Sequence, residues 1–319
     1  WVKVALSVLL TVLLFSYFYR TIDLGEFLAS VREASWGFVL LGALMYCMTY
    51  PLRAFRIYYL TRHAGNAGFG KTQAITFRHQ FYGRIIPFKV GDLSLVYLLR
   101  SYADVPLPQG SAVLVLLRVF DAFVIILSFL LCNISVSMRL FSNWILVAVL
   151  AALAAVLLCA PFVITRAADW IRKRGIYRRR AVRRLVDAVL NVRDMLVHSV
   201  ASPKNFAVIG LSSALLWLFV YLSMYFVIAA FGQQVTLAET VVASFLASAA
   251  AFLPINGIGG FGAVETGWAV GFTLLGVARP VALASGVVSN MMSFVVICVF
   301  GLVSYLGGLK RVSDNHIEQ

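Results

Sequence analysis

The sequence runs to 319 residues, 61% of them apolar and only 13% charged, and carries a net charge of +14. Soluble domains hold about 45–50% apolar and about 25% charged residues, so this balance, with a mean hydropathy of +0.91, excludes a secreted or cytosolic globular enzyme, a disordered chain and a repeat solenoid. A basic excess in so apolar a chain points to an anionic membrane surface and away from nucleic acid. The expected fold class is an all-α polytopic membrane protein.

A helix needs about 20 apolar residues to cross the roughly 30 Å hydrocarbon core. In chain order the candidates are Val2–Tyr19, Trp36–Pro51, Ser111–Leu131, Trp144–Thr165, Phe206–Phe231 and Val281–Leu309. The first reads as a span and not as a cleaved signal, because no small-residue cleavage site follows it. Cys47, Cys132, Cys159 and Cys298 lie far apart in or beside apolar runs without a CxxC pair, as expected for buried free thiols.

Two further regions are apolar but interrupted. Residues 73–99 carry Arg78, His79, Arg84, Pro87, Lys89 and Asp92, and residues 239–276 carry Pro254, Asn256, a glycine cluster and Glu265. Gln73–Ile86 as a helix extends only about 21 Å, too short to span, and an unscreened Arg costs several kcal/mol in lipid. Both regions therefore read as re-entrant, broken helical hairpins.

Basic residues near spans stay on the cytoplasmic side. With the N-terminus inside, 22 of the 27 Lys and Arg fall on that side and Arg20, Arg32, Arg139 and Arg279 fall outside. The expectation is cytoplasmic termini, with the hairpins entering from opposite faces as an inverted repeat. A single transmembrane domain follows: a first half, residues 1–131, a second half, 206–309, and between them a cytoplasmic linker, 166–204. In the linker Val182, Leu185, Val186, Val189, Val192 and Leu196 share one helical face, and Arg179, Arg180, Arg183 and Arg184 populate the others. Such a helix lies in the headgroup layer.

The chemistry-bearing pattern is the match between the two breaks. Arg84-Ile-Ile-Pro87-Phe-Lys89-Val-Gly91-Asp92 and Pro254-Ile-Asn256-Gly257-Ile-Gly259, continuing to Glu265, each place a proline, glycine and an acid between apolar helices. Proline removes a donor and glycine frees the backbone. Irregular backbone at membrane depth is tolerated only where it is buried in protein or lines a wet cavity, and paired interruptions mark a transporter's central site. Arg118 and Asp121 sit within one span, three residues apart on a shared face, and can pair, either as functional intramembrane charges or as a structural ion pair closing the bundle core. Arg53 and Arg56, just past the second span, read first as snorkelling anchors; the alternative is that they join Arg84, Lys89 and Arg100 in a basic pocket for a phosphate headgroup. Gly257-Ile-Gly-Gly-Phe-Gly262 matches the dinucleotide fingerprint only literally, since no strand precedes it.

Together, Pro51-x-Arg53-x-x-Arg56, Ile86-Pro87-x-x-x-Gly91-Asp92, Arg118-x-x-Asp121 and Pro254 through Gly259-Gly260 to Glu265 make the chain resemble the lysylphosphatidylglycerol synthase transmembrane family, also described as flippase-like. The resemblance implies a bacterial inner-membrane protein that moves a lipid between leaflets, here a module without the aminoacyltransferase domain. The expected function is a lipid flippase acting on a phospholipid or polyprenyl-phosphate lipid, with no enzymatic activity, cofactor or metal. Its partners are anionic or aminoacylated membrane lipids, with no nucleic acid and with room for a homo-oligomer. Arg53, Arg56, Arg84, Lys89, Asp92, Arg118, Asp121, Asn256 and Glu265 are the candidate substrate-binding residues, and Pro87, Gly91, Pro254, Gly257 and Gly259 the backbone breaks. The alternatives are an intramembrane lipid-modifying transferase, for which His79 near Arg78 and Arg84 is the tempting cluster, and a small-solute or ion transporter.

Overall fold

The computed structural model describes residues 24–86, 90–136, 143–174, scattered positions between 182 and 197, 202–252 and 262–308. Among these all regular structure is helical. The expected span Val2–Tyr19 lies outside them, as do Pro87, Lys89, Pro254, Asn256, Gly257 and Gly259. The elements are α1 (Leu24–Glu33), α2 (Trp36–Thr61), α3 (Phe69–Ile85), a 3₁₀ turn (Val90–Leu93), α4 (Ser94–Ala103), α5 (Leu107–Ser135), α6 (Asn143–Lys173), α7 (Pro203–Ala230), α8 (Leu237–Phe252), α9 (Ala263–Leu274) and α10 (Arg279–Leu306).

Local chemistry sets the helix starts. A proline occupies one of the first two positions of α5, α7 and α10, where its missing N–H has no intrahelical partner to lose. Ser202 caps α7 by accepting from the Asn205 N–H. Thr236 and Glu239 form a reciprocal capping box on α8: the Thr236 N–H donates to Glu239 Oε2 at 2.7 Å, and the Glu239 N–H to Thr236 Oγ1 at 3.2 Å. Pro51 does not end α2, which continues ten residues further to Thr61, so Arg53 and Arg56 ride on a span helix.

Among the described residues four helices, α2, α5, α7 and α10, are long and apolar enough to cross a membrane. The 31-residue α6 covers the expected span Trp144–Thr165. Large apolar side chains point outward along these helices, with Leu211 71% and Leu306 79% exposed, a surface that only hydrocarbon covers without cost. The described linker positions between 182 and 197 are helical and bury Val186.

Each interrupted region is a pair of short helices folded back on one another. In the first, the Gly91 position meets the turn of Tyr82 and Gly83, and His79 on α3 bonds Ser94 at the start of α4. In the second, Gly267 lies against Leu246 and Gly271 against Ala243, an antiparallel register of α8 and α9. The packing repeats itself under exchange of the halves. The order long helix, hairpin, long helix occurs as α2–α3/α4–α5 and again as α7–α8/α9–α10, and α3 packs on α10 as α8 packs on α5. The equivalent helices α2 and α7 lie side by side and antiparallel: the Ser35 N–H donates to the Ala230 carbonyl, Phe38 stacks on Phe226, and Tyr59 bonds Asn205.

A candidate lipid-headgroup cavity between the two hairpins

The two hairpins enclose, with α2, α5, α7 and α10, a cavity of about 480 Å³. From the first hairpin come His79, Gly83 and Arg84 at the end of α3 and Asp92 in the 3₁₀ turn; from the second come Ser248 on α8 and Val264 and Trp268 on α9. The chamber thus touches residues on both sides of each break.

Its charges are arranged across elements. Arg118 Nη2 pairs with Asp92 Oδ2 at 2.8 Å, tying α5 to the 3₁₀ turn. Asp121 pairs instead with Arg56, whose Nη1 reaches Oδ1 at 2.5 Å and Ser213 Oγ at 2.8 Å, linking α2, α5 and α7. This corrects the expected Arg118–Asp121 pair. Neighbours on one helix face can meet, but each finds a partner on another element, and a buried charge needs its bonds satisfied from several directions. Arg56 is 2% exposed and does not line the cavity. It is one member of a buried ion pair, not a snorkelling anchor.

Arg53 and Arg84 both line the chamber. Arg84 Nη2 donates to Ser293 Oγ on α10 at 3.0 Å, and among the described residues neither guanidinium has a carboxylate partner. Glu265 is 3% exposed. It accepts the Gly262 N–H at 2.7 Å and a bond from Asn290 Nδ2, so it caps the helix that leaves the second break. Gly262 holds φ +106° there, a conformation that demands glycine. Gly91 has no positive φ; it is glycine because a Cβ would lie 2.5 Å from the Tyr82 carbonyl oxygen.

Arg78 and Arg100 do not join this group. Arg78 is buried against α10, donating to Ser304 Oγ at 3.1 Å and the Ser304 carbonyl at 3.0 Å, with its guanidinium over the rings of Tyr102 and Tyr305. Arg100 pairs with Asp104 at the surface. Several cavity residues escaped the sequence reading: Tyr46, Trp217, Ser248, Trp268, Asn290 and Ser293. A usable signal exists for Trp217, since tryptophan in mid-span departs from its ordinary place at the membrane interface. The spacing Gly267-x-x-x-Gly271 also announces a close helix pair.

Taken together, these features define a polytopic helical membrane protein with a basic chamber bounded by paired helix breaks. Residues 1–301 match the family described as lysylphosphatidylglycerol synthase TM region, and the chain belongs to that family. It is 24% identical to the UPF0104 membrane protein of Methanothermobacter thermautotrophicus, with 96% of each chain covered. It is also 32% identical over 127 residues to the glycosyltransferase AglD of Haloferax volcanii, a match that takes in 39% of this chain and 20% of that protein's length.

Proposed function

We propose that the protein moves a phosphate-bearing lipid between the leaflets of the inner (plasma) membrane, with both termini cytoplasmic. The observation that carries this reading is the chamber lined by two guanidiniums, Arg53 and Arg84, without a carboxylate partner among the described residues. An uncompensated intramembrane charge is costly unless something anionic visits it, and arginine holds phosphate oxygens bidentately. The antiparallel pairing of α2 with α7 and the exchanged packing of the two hairpins support an inverted repeat. A two-fold axis in the membrane plane lets one chamber open to either side. The hairpins enter from opposite faces, and the lipid's tails remain in the bilayer while its headgroup passes through.

The test is leaflet exchange. Reconstituted protein should speed the loss of inner-leaflet protection of tail-labelled phosphatidylglycerol against a membrane-impermeant reductant. Exchange no faster than in protein-free vesicles overturns the reading. The protein is not proposed to be an enzyme. His79, the side chain that most invites a transferase, is buried with Nδ1 3.0 Å from Ser94 Oγ, a contact that pins the arms of the first hairpin together. Turnover of a radiolabelled lipid by the purified protein, lost in His79→Ala, would favour the transferase instead.

A further inference from the structure

The chamber offers two kinds of group, and their combination selects a headgroup. Its charged lining is Arg53, Arg84 and Arg118, with Asp92 and Asp121 as the two acids lining it among the described residues. Both acids are engaged, Asp92 by Arg118 and Asp121 by Arg56. Glu265, just behind the lining, is engaged by the Gly262 N–H and Asn290. An ammonium entering here meets an excess of guanidinium and, among the described residues, no unengaged carboxylate.

The polar lining contributed by α7, α8 and α10 is uncharged. Ser248 Oγ, Asn290 Oδ1 and the Trp217 indole N–H are buried polar atoms with no hydrogen-bond partner among the described residues, and all three side chains line the chamber. Buried polar atoms are nearly always satisfied, so three orphans around one cavity call for a partner. Their chemistry is that of a hydroxyl-binding surface: an alcohol oxygen, an amide carbonyl and an indole N–H bond neutral O–H groups, and Trp268 also lines the chamber.

We infer that the lipid carried is one whose phosphate bears a neutral, hydroxylated headgroup, such as a glycerol or a sugar, and that cationic headgroups are rejected. The inference rests on the transport reading above and sharpens it. The phosphate sits on Arg53 and Arg84, and the hydroxyls reach Ser248 after rotation of its side chain, the Trp217 N–H, and Asn290 Oδ1 while Asn290 Nδ2 keeps its bond to Glu265. A lipid carrying net positive charge is disfavoured by the like charge it meets.

Binding and exchange are measured separately on the full chain. In nanodiscs of zwitterionic lipid, competition against labelled phosphatidylglycerol is compared for three probes: phosphatidylglycerol, phosphatidylmethanol, which keeps the phosphodiester charge without hydroxyls, and lysyl-phosphatidylglycerol. Phosphatidylglycerol should bind roughly three- to tenfold more tightly than phosphatidylmethanol, the value of one or two net hydrogen bonds. Lysyl-phosphatidylglycerol should be the weakest of the three. Ser248→Ala, which removes an unsatisfied hydroxyl with little change of shape, and Trp217→Phe, which removes the indole N–H along with ring volume, should each narrow the phosphatidylglycerol-to-phosphatidylmethanol ratio toward one. Equal binding of those two lipids, or lysyl-phosphatidylglycerol binding as tightly as phosphatidylglycerol, overturns the inference. If the order of binding holds while vesicles show no exchange, the transport reading falls and the headgroup assignment stands. If exchange is fast but indifferent to headgroup, the reverse applies. If no lipid competes, both fall.

Discussion

At the residue scale, two arginines on one helix turn do different work. Arg53 faces the chamber; Arg56, three residues on, is sealed against Asp121 and Ser213. Truncating one member of a buried pair leaves the other uncompensated, at a cost of about 3–5 kcal/mol. Arg56→Ala and Asp121→Ala should therefore each lower the unfolding midpoint of the purified protein sharply. The double variant should lose less than the sum of the two, and strict additivity would count against the pair. Arg84→Gln should leave the midpoint within a few degrees, because its neighbour Ser293 can bond an amide as well as a guanidinium. Lipid exchange in the same variant should drop at least about tenfold, the weight of a lost charge-assisted contact. A variant that exchanges lipid normally removes Arg84 from the site.

At the element scale, the hairpins are held by backbone contact, which glycine alone permits. A Cβ on Gly271 would lie 2.0 Å from the Ala243 carbonyl oxygen and one on Gly267 2.6 Å from that of Leu246. Both obstacles are backbone and cannot rotate away. Gly271→Ala should force α8 and α9 apart and destabilise by about 1–3 kcal/mol or more, as overpacking does. A Cβ on Gly37, near the start of α2, would meet nothing within 4 Å, so Gly37→Ala should be neutral or stabilising by up to about 1 kcal/mol from helix propensity. Opposite signs for these two glycine replacements, read from unfolding midpoints, check the hairpin register. The 3₁₀ turn at Val90–Leu93 is held in the same way: Gly91 allows the close pass to Tyr82, and Arg118 clamps Asp92 from α5.

At the scale of the whole molecule, the antiparallel contact of α2 with α7 places their C-terminal ends, Thr61 and Ala230, at opposite ends of the bundle. In an inverted repeat the loops that follow them emerge on opposite sides of the membrane. Single cysteines at Asn66 and Gln233, introduced after replacing Cys47, Cys132, Cys159 and Cys298, should label from opposite faces with a membrane-impermeant maleimide. Labelling of both from one face would contradict the repeat. The positive-inside count assigns Asn66 to the cytoplasm, so the experiment also orients the molecule.

Hydropathy, charge asymmetry and the proline-glycine-acid pattern are properties of residue types in order along the chain. They sufficed for a helical membrane protein and for the four long apolar helices that begin at Trp36, Leu107, Pro203 and Arg279. Three-residue spacing also suggested the wrong partner for Asp121, because a helix face shows which neighbours are near and says nothing about what another helix brings closer. Only packing decided that Arg56 serves Asp121, that Arg118 serves Asp92, that Arg78 is absorbed by Ser304 and two tyrosines, and that Ser248, Asn290 and Trp217 meet around one space. Burial and ion pairing are relations between segments far apart in the chain, from Arg56 to Ser213 or Arg78 to Ser304. Such relations exist once the two halves have closed on each other.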